Sequence, residues 1–344
     1  MKPQGYLFQF RRAPGDALML TALVRDLKLI YGDYLELHVQ TRYPDIWRHN
    51  PYIASLDSEN IPHGVILVNF DRGRNAVDRK GLTLSQRGAN KHYLTFFHEE
   101  FTRRTKIKVD VLFSKPDLHL SEEEKASPLV GGRYWVVVPG FKSDMTTKAY
   151  RSDWWQEAVD KLCRKGLAFV QEGATKPDHY NPVLNNVLNL VNKTSIRDLI
   201  RNIYHAEGLI SGVSLPMHIA GALNKPCVVI MGGREEPSYE HYYGQFGPRA
   251  QPVSMPHVML DTIGKLPCCQ SRGCWLRRVV PLRLPENAPP KKKKLNEEYN
   301  KSLCKLPNLS LHSEPVGQCM ALITPDNIVE AVLNYYRTGL LPPL

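Results

Sequence analysis

The sequence predicts an α/β protein made of two parallel-sheet units that face each other across a cleft. Three observations carry this. Short β-type runs alternate with longer amphipathic ones through most of the chain, the order that parallel strands with crossover helices require. The alternation stops at an acidic, Ser-containing stretch, SEEEKASPLVGG (121–132), and then begins again. At roughly 150 residues per domain, a chain of 344 is long enough for two separate cores.

In the first series, YLFQF (6–10), LELHVQT (35–41) and GVILVNF (64–70) read as strands, being rich in aromatic and branched residues. Between the first two, Leu20, Leu23, Val24, Leu27, Ile30 and Tyr31 recur at three- and four-residue spacing. That spacing lines up one face of a helix starting near Asp16. A second helix is predicted over 92–104, and the acidic stretch 121–132 reads as an interdomain linker. The second series runs strand 134–140, helix 154–164, strand 167–173, helix 196–204, strand 208–212, a short helix after Ser214, and strand 226–233. From 267 to 307 the periodicity lapses in a proline-broken excursion that carries KKKK (291–294). Thr324, Pro325 and Asp326 then supply an N-cap, a proline at the first helical position and a first-turn acid for a final helix. Its apolar stripe is Ile328, Val329, Val332, Leu333 and Tyr336. The expected division is 1–127, then 128–323 including an excursion over 266–320, then a terminal helix in 324–344.

Apolar residues are 42% and charged residues 23% of the chain, which excludes a wholly disordered or collagen-like protein. The net charge of +11 is local: between 270 and 305 ten Lys or Arg face three Glu, leaving +4 for the rest. A nucleic-acid-coating protein is therefore disfavoured, and no aromatic-interleaved basic strand accompanies the charge. There is no apolar run of about 18 residues and no signal-like N-terminus, so the expected location is cytoplasmic. Of seven cysteines, five (Cys268, Cys269, Cys274, Cys304, Cys319) fall in the last 77 residues, while Cys163 and Cys227 stand in apolar surroundings.

Two strand-end turns carry candidate chemistry, because ligands of open α/β sheets bind beyond the carboxyl ends of the strands. The first is Arg11-Arg12-Ala13-Pro14-Gly15-Asp16. Asp16 at a helix start is kept ionised by the helix dipole and can accept a proton from an attacking hydroxyl, or it is an N-cap. The second runs from Ser211 through Ser214, Leu215, Met217 and His218 to Leu223. Backbone amides at such a helix start, with Ser214 and His218 nearby, suit a diphosphate; a plain turn with a structural His is the alternative. Lys148, between a strand and its helix, either meets a phosphate or is solvated.

Together these pieces resemble glycosyltransferase family nine, the ADP-heptose:lipopolysaccharide heptosyltransferases. The resemblance rests on Gly15-Asp16 with the helix after it, VVVPG, Lys148 with Trp155, and the run from Asn189 to Gly233 ending in VSLPMHIAGALNKPCVVIMGG. It implies a GT-B fold, two facing Rossmann-like domains with an interdomain cleft and a C-terminal crossover helix. It also implies inverting, metal-independent transfer of a sugar from a nucleotide-diphosphate donor such as ADP-heptose to a saccharide of the lipopolysaccharide core or similar. The resemblance makes Asp16 the catalytic base, with Gly15, Lys148, Ser214, Leu215, Met217 and His218 at the substrates. The chain departs from the family's Asp-Ser/Thr-Gly turn: Val213 stands for the acid and Leu215 for the glycine. Arg234, in the equally divergent Gly233–Pro237 loop, can replace a lost phosphate contact or be a surface salt-bridged residue.

Thiolates at Cys269, Cys274, Cys304 and Cys319, with Cys268 as an alternative, can form a four-sulfur site for structural zinc or iron. The insertion resembles the cysteine-bearing finger of bacterial autotransporter heptosyltransferases, which bind iron and modify protein serines. The alternative is a set of reduced thiols packed around Trp275. The neighbouring Arg277, Arg278, Arg283 and Lys291–Lys294 read as a solvated loop, or as an arm meeting an anionic saccharide, an acidic protein or, peripherally, a membrane surface. Two other functions fit the pattern: a non-catalytic sugar-nucleotide or saccharide binder, and a glycosyltransferase acting on protein or modified nucleic acid.

Overall fold

The computed structural model describes residues 4–11, 13–70, 92–176, 178–242, 250–251, 256–270, 272–309 and 314–339. Arg12 and the Arg- and Gly-rich segment 71–90, expected to contribute acceptor contacts, lie outside the described residues.

The first unit contains β1 (Gln4–Phe10), α1 (Pro14–Tyr31), β2 (Leu35–Thr41), α2 (Pro44–Trp47), β3 (Ser55–Leu56), β4 (Ile66–Asn69) and α3 (Tyr93–Thr105). Its sheet is ordered β3-β2-β1-β4, all parallel. Helix α1 begins two residues earlier than the spacing predicts. Pro14, with its fixed φ and no N–H to lose, takes the first helical position after Ala13, so Asp16 sits in the first turn and is not the N-cap. Helix α3 follows His92, whose Nδ1 accepts the Leu94 amide at 3.1 Å as its cap.

The stretch expected as a linker is in part helical. Ser121 and Glu124 form a capping box that starts α4 (Glu122–Ala126). The second unit then contains β5 (Trp135–Val138), β6 (Phe141–Lys142), α5 (Ser152–Cys163), β7 (Phe169–Gln171), β8 (His179–Tyr180), β9 (Leu188–Asn189), α6 (Ile196–His205), β10 (Gly208–Gly212), α7 (Leu215–Leu223), β11 (Cys227–Gly232) and β12 (His257–Asp261). Its six strands are ordered β12-β11-β10-β5-β7-β9 and all parallel. Such strands are covered on both faces, so they read as unbroken apolar runs. Along β5, Val136 and Val138 face one core while Trp135 and Val137 face the other. Along β11, Cys227, Val229 and Met231 alternate in the same way with Val228 and Ile230.

The first core is continuous with that of the N-terminal unit, running from Phe8 and Leu23 through to Met217 and Val229. The contact is made where α1 packs against α7, so the turns that open these two helices are brought together. The second core lies on the opposite face of the six-stranded sheet, under α5 and the C-terminal elements.

The excursion is more ordered than its sequence predicts. It holds α8 (Pro290–Asn300), β13 (Pro307–Asn308), β14 (Val316–Gly317) and α9 (Gln318–Ala321). The KKKK run therefore lies at the start of a helix and not in a loop. Pro289 and Pro290 start it, and Arg278 fixes it by donating to Asn296 Oδ1 at 2.7 Å and Asn300 Oδ1 at 2.6 Å. The last helix, α10 (Pro325–Thr338), has the expected Thr324 cap, completed by Asn327. It lies against α5, β11 and β12, and Trp135 Nε1 of β5 donates to Tyr336 Oη at 2.8 Å. All these partners belong to the second unit. Among the described residues no helix is long and apolar enough to cross a membrane.

Candidate active site

Four loops, each leaving the carboxyl end of a parallel strand, meet between the two units. One follows β1 and carries Gly15 and Asp16. The others follow β5, β10 and β11 and carry Lys148, Ser214 and Arg234 respectively. Strand β5 lies between β10 and β7, so the strand order changes direction there, the place where open α/β sheets leave a crevice.

The turn of the first unit touches the turn of the second. A Cβ added to Gly15 would come within 2.8 Å of His218 Cδ2 and 3.7 Å of Leu215 Cα. Only glycine allows that approach without displacing the imidazole. The buried Gly15 thus sets Asp16, half-buried in the first turn of α1, beside the start of α7. Ser214 is the N-cap residue of α7, and its hydroxyl donates to Gly212 O at 3.3 Å. Leu215 is half-buried, whereas Met217 lies wholly inside the first core. His218 is buried, with Nδ1 2.6 Å from Tyr242 Oη and Nε2 3.7 Å from Glu240 Oε2. Burial raises the Tyr242 phenol far above its ordinary range, so Tyr242 stays neutral beside the ring.

Lys148 closes a short 3-10 turn, Thr146–Lys148, and its carbonyl lies 3.9 Å from where a Gly212 side chain would begin. It is not a solvated lysine: its ammonium contacts the buried Glu235 carboxylate, Nζ to Oε1 at 2.9 Å and to Oε2 at 3.1 Å. Glu235 also pairs with the Arg234 guanidinium. Arg234 is itself buried rather than at the surface. Its Nε donates to Leu276 O at 2.8 Å, and its guanidinium lies over the Trp275 ring at 5.5 Å. Burial draws its pKa down to about 10, which leaves it charged at neutral pH.

The excursion supplies part of this site. Leu276 O accepts from Arg234 and also from Thr147 Oγ1 at 2.7 Å. The Cys274 amide donates to Gly233 O at 3.2 Å and the Trp275 amide to Arg234 O at 3.0 Å. One stretch, 274–277, therefore clamps the loops that carry Lys148 and Arg234. Sequence reasoning missed this, and missed Glu235. The signal available for Glu235 was an acidic pair in a loop otherwise suited to phosphate.

The structure gives no support to the four-sulfur site expected from Cys269, Cys274, Cys304 and Cys319, with Cys268 as an alternative. Among the described residues no group of three or more His, Cys, Asp or Glu converges where a metal ion could sit. Cys269 Sγ donates to Thr262 O at 3.3 Å and lies 2.7 Å from where a Gly233 side chain would begin. Cys319 Sγ and Cys304 Sγ lie 3.2 Å and 3.6 Å from where a Gly317 side chain would begin. Burial raises all four thiols, Cys319 to about 11.

Residues 86–251 match the family model described as glycosyltransferase family 9 (heptosyltransferase). No curated protein matches the chain. Among solved structures, a family 9 glycosyl transferase from Veillonella parvula is similar at 12% identity and a TM-score of 0.57, covering 97% of this chain and 98% of that one. The ADP-heptose lps heptosyltransferase II of E. coli is similar at 15% identity and a TM-score of 0.57, covering 97% and 99%. The dodecameric iron-containing heptosyltransferase TibC, solved with ADP-D-beta-D-heptose, is similar at 13% identity and a TM-score of 0.59, covering 98% and 77%. These likenesses extend the GT-B fold over nearly the whole chain. The matched region and this fold together make the chain similar to the heptosyltransferase-like glycosyltransferases of family 9.

Proposed function

We propose that this protein is an inverting glycosyltransferase that moves a sugar, a heptose, from a nucleotide-diphosphate donor such as ADP-heptose to a saccharide acceptor. The observation that carries the reading is the approach of the Gly15-Asp16 turn to the start of α7 at His218. The residue before Asp16 comes to the start of α7, which supports a meeting of acceptor hydroxyl and donor diphosphate there. In this reading Asp16 takes the hydroxyl proton as the acceptor oxygen attacks the anomeric carbon, the sugar–phosphate bond breaks, and the leaving diphosphate gains one negative charge. Lys148, the Ser214–His218 turn and Arg234 provide the positive charge and donors that stabilise it. No divalent cation enters the reading.

Anionic groups on the acceptor fit the basic helix α8, whose lysines are exposed beside the clamp. The division at 127 and 323 follows the two series of strands, with the excursion assigned to the donor side. The reading is tested by Asp16→Asn. The variant keeps ADP binding within about twofold and loses transfer by about 10³-fold, the usual size of a general-base contribution. Turnover near the wild-type rate in a folded variant removes Asp16 as the base.

A further inference from the structure

The Glu235 carboxylate occupies the ammonium that the donor diphosphate would use. Both of its oxygens lie within 3.1 Å of Lys148 Nζ, the arrangement that two oxygens of a phosphate would adopt. The carboxylate is not free to swing aside. It is buried and paired with Arg234, and the backbone on its N-terminal side is clamped by the Cys274 and Trp275 amides. Gly273 closes the clamp: a Cβ there would sit 2.2 Å from Arg234 O. Lys148, Arg234 and Glu235 together therefore carry a net charge of +1, not +2.

This fixed charge acts unequally on the two ends of the reaction. A nucleoside-diphosphate sugar has one negative charge on each phosphate. Once the sugar is transferred and its proton taken by the base, the free nucleoside diphosphate bears an additional negative charge on its terminal phosphate. A neighbouring carboxylate opposes that extra charge more than it opposes the donor. We infer that Glu235 is a built-in counter-anion of Lys148, a specificity-determining residue that weakens the hold on the diphosphate and disfavours the product nucleotide over the donor. The inference rests on the proposed role of Lys148 at the diphosphate. It gives the departure at Gly233–Pro237 a function: product release without a moving lid.

The test is a binding titration of the full chain with ADP and with ADP-glucose as a non-reacting nucleotide sugar, for wild type, Glu235→Gln, Lys148→Met and the double variant. Removing one partly screened charge gives a change of about tenfold. Glu235→Gln is expected to tighten ADP by about that factor and ADP-glucose by about threefold, both gains vanishing in the double variant. Lys148→Met alone weakens ADP. If Lys148→Met weakens ADP but Glu235→Gln leaves it unchanged or weaker, or shifts both ligands equally, the inference is overturned and the donor reading stands. If ADP binds and Lys148→Met has no effect, or ADP binds to no variant, the donor reading fails and this inference with it. Should Glu235→Gln not fold, Glu235→Asp, which keeps a charge for Arg234 but shortens the reach to Lys148, carries the same test; weaker or unchanged ADP binding overturns the inference.

Discussion

Two segments that read as irregular, the acidic stretch at 121–132 and the excursion at 266–320, are each held by a buried arginine from elsewhere in the fold. Arg197 of α6 donates to Glu124 Oε1 at 2.7 Å, His119 O at 2.7 Å and Asp45 O at 3.2 Å. It therefore ties the second unit to the first. Arg234 donates to Leu276 O at 2.8 Å and pairs with Glu235. The devices are alike in that each buried guanidinium pairs with one carboxylate and bonds at least one backbone carbonyl. The difference lies in the carboxylate. Glu124 is bonded by Arg197 and by its own capping box, whereas Glu235 divides its charge between Arg234 and Lys148. One junction is structural; the other is wired into the candidate site.

The largest effect is expected at the first junction. Arg197→Ala leaves Glu124 partly buried without its cation and is expected to cost about 3–5 kcal/mol, read as a fall in the denaturant midpoint. The same pair sets an acid response. Hydrogen bonds from Arg197 hold the Glu124 carboxyl at about 2, below its ordinary 4.5. Its folded-state pKa being the lower one, the pair's contribution is complete above about pH 4.5 and disappears as pH falls through about 2. Melting temperature against pH should drop across that window in the wild type, with this component missing in Arg197→Ala. An unchanged acid limb would make the two arginines more alike than the comparison holds.

The second junction is broken most sharply at Gly273. Its φ is +81°, and an added Cβ would meet Arg234 O at 2.2 Å. Gly273→Ala is expected to cost about 2–3 kcal/mol and to loosen Glu235 from Lys148. By contrast, Gly212 has only 3.8 Å and 3.9 Å contacts waiting, so Gly212→Ala serves as the tolerated control. Denaturation and donor KM, measured on both, separate a clamp that shapes the site from one that only stabilises the chain.

What the sequence made legible follows from the distance over which each feature is decided. The Thr324-Pro325-Asp326 start of α10 and the span of β2 are as expected, because caps and apolar runs are settled within a few residues. Asp16, Ser214 and His218 were singled out because they stand in turns at strand ends, and the approach of those turns follows from the packing of α1 on α7. Glu235 was not found because its partner Lys148 lies 87 residues away. Strand β12, only five residues long, was missed at the edge of its sheet. The surroundings of the thiols, Cys269 at Gly233 and Thr262 and Cys304 with Cys319 at Gly317, come from residues that no cysteine spacing encodes.

The smallest effect tests why α8 is a helix at all. Its sequence has no apolar stripe, and its first turn holds three lysines after Pro290 and no acid, the unfavourable sign of charge at a helix N-terminus. Its order then has to come from the other end. Arg278 bonds Asn296 and Asn300, and the Arg277 and Arg278 guanidiniums lie over Tyr299 at 4.3 and 5.4 Å. On this account Lys291→Glu, which puts an acid in the first turn, is expected to raise stability by only ~0.5 kcal/mol, seen as a small rise in the denaturant midpoint. Tyr299→Ala should lower it by more, since it removes the ring on which both guanidiniums rest. If Lys291→Glu instead gave the larger change, α8 would depend more on its own first turn than on Arg277 and Arg278.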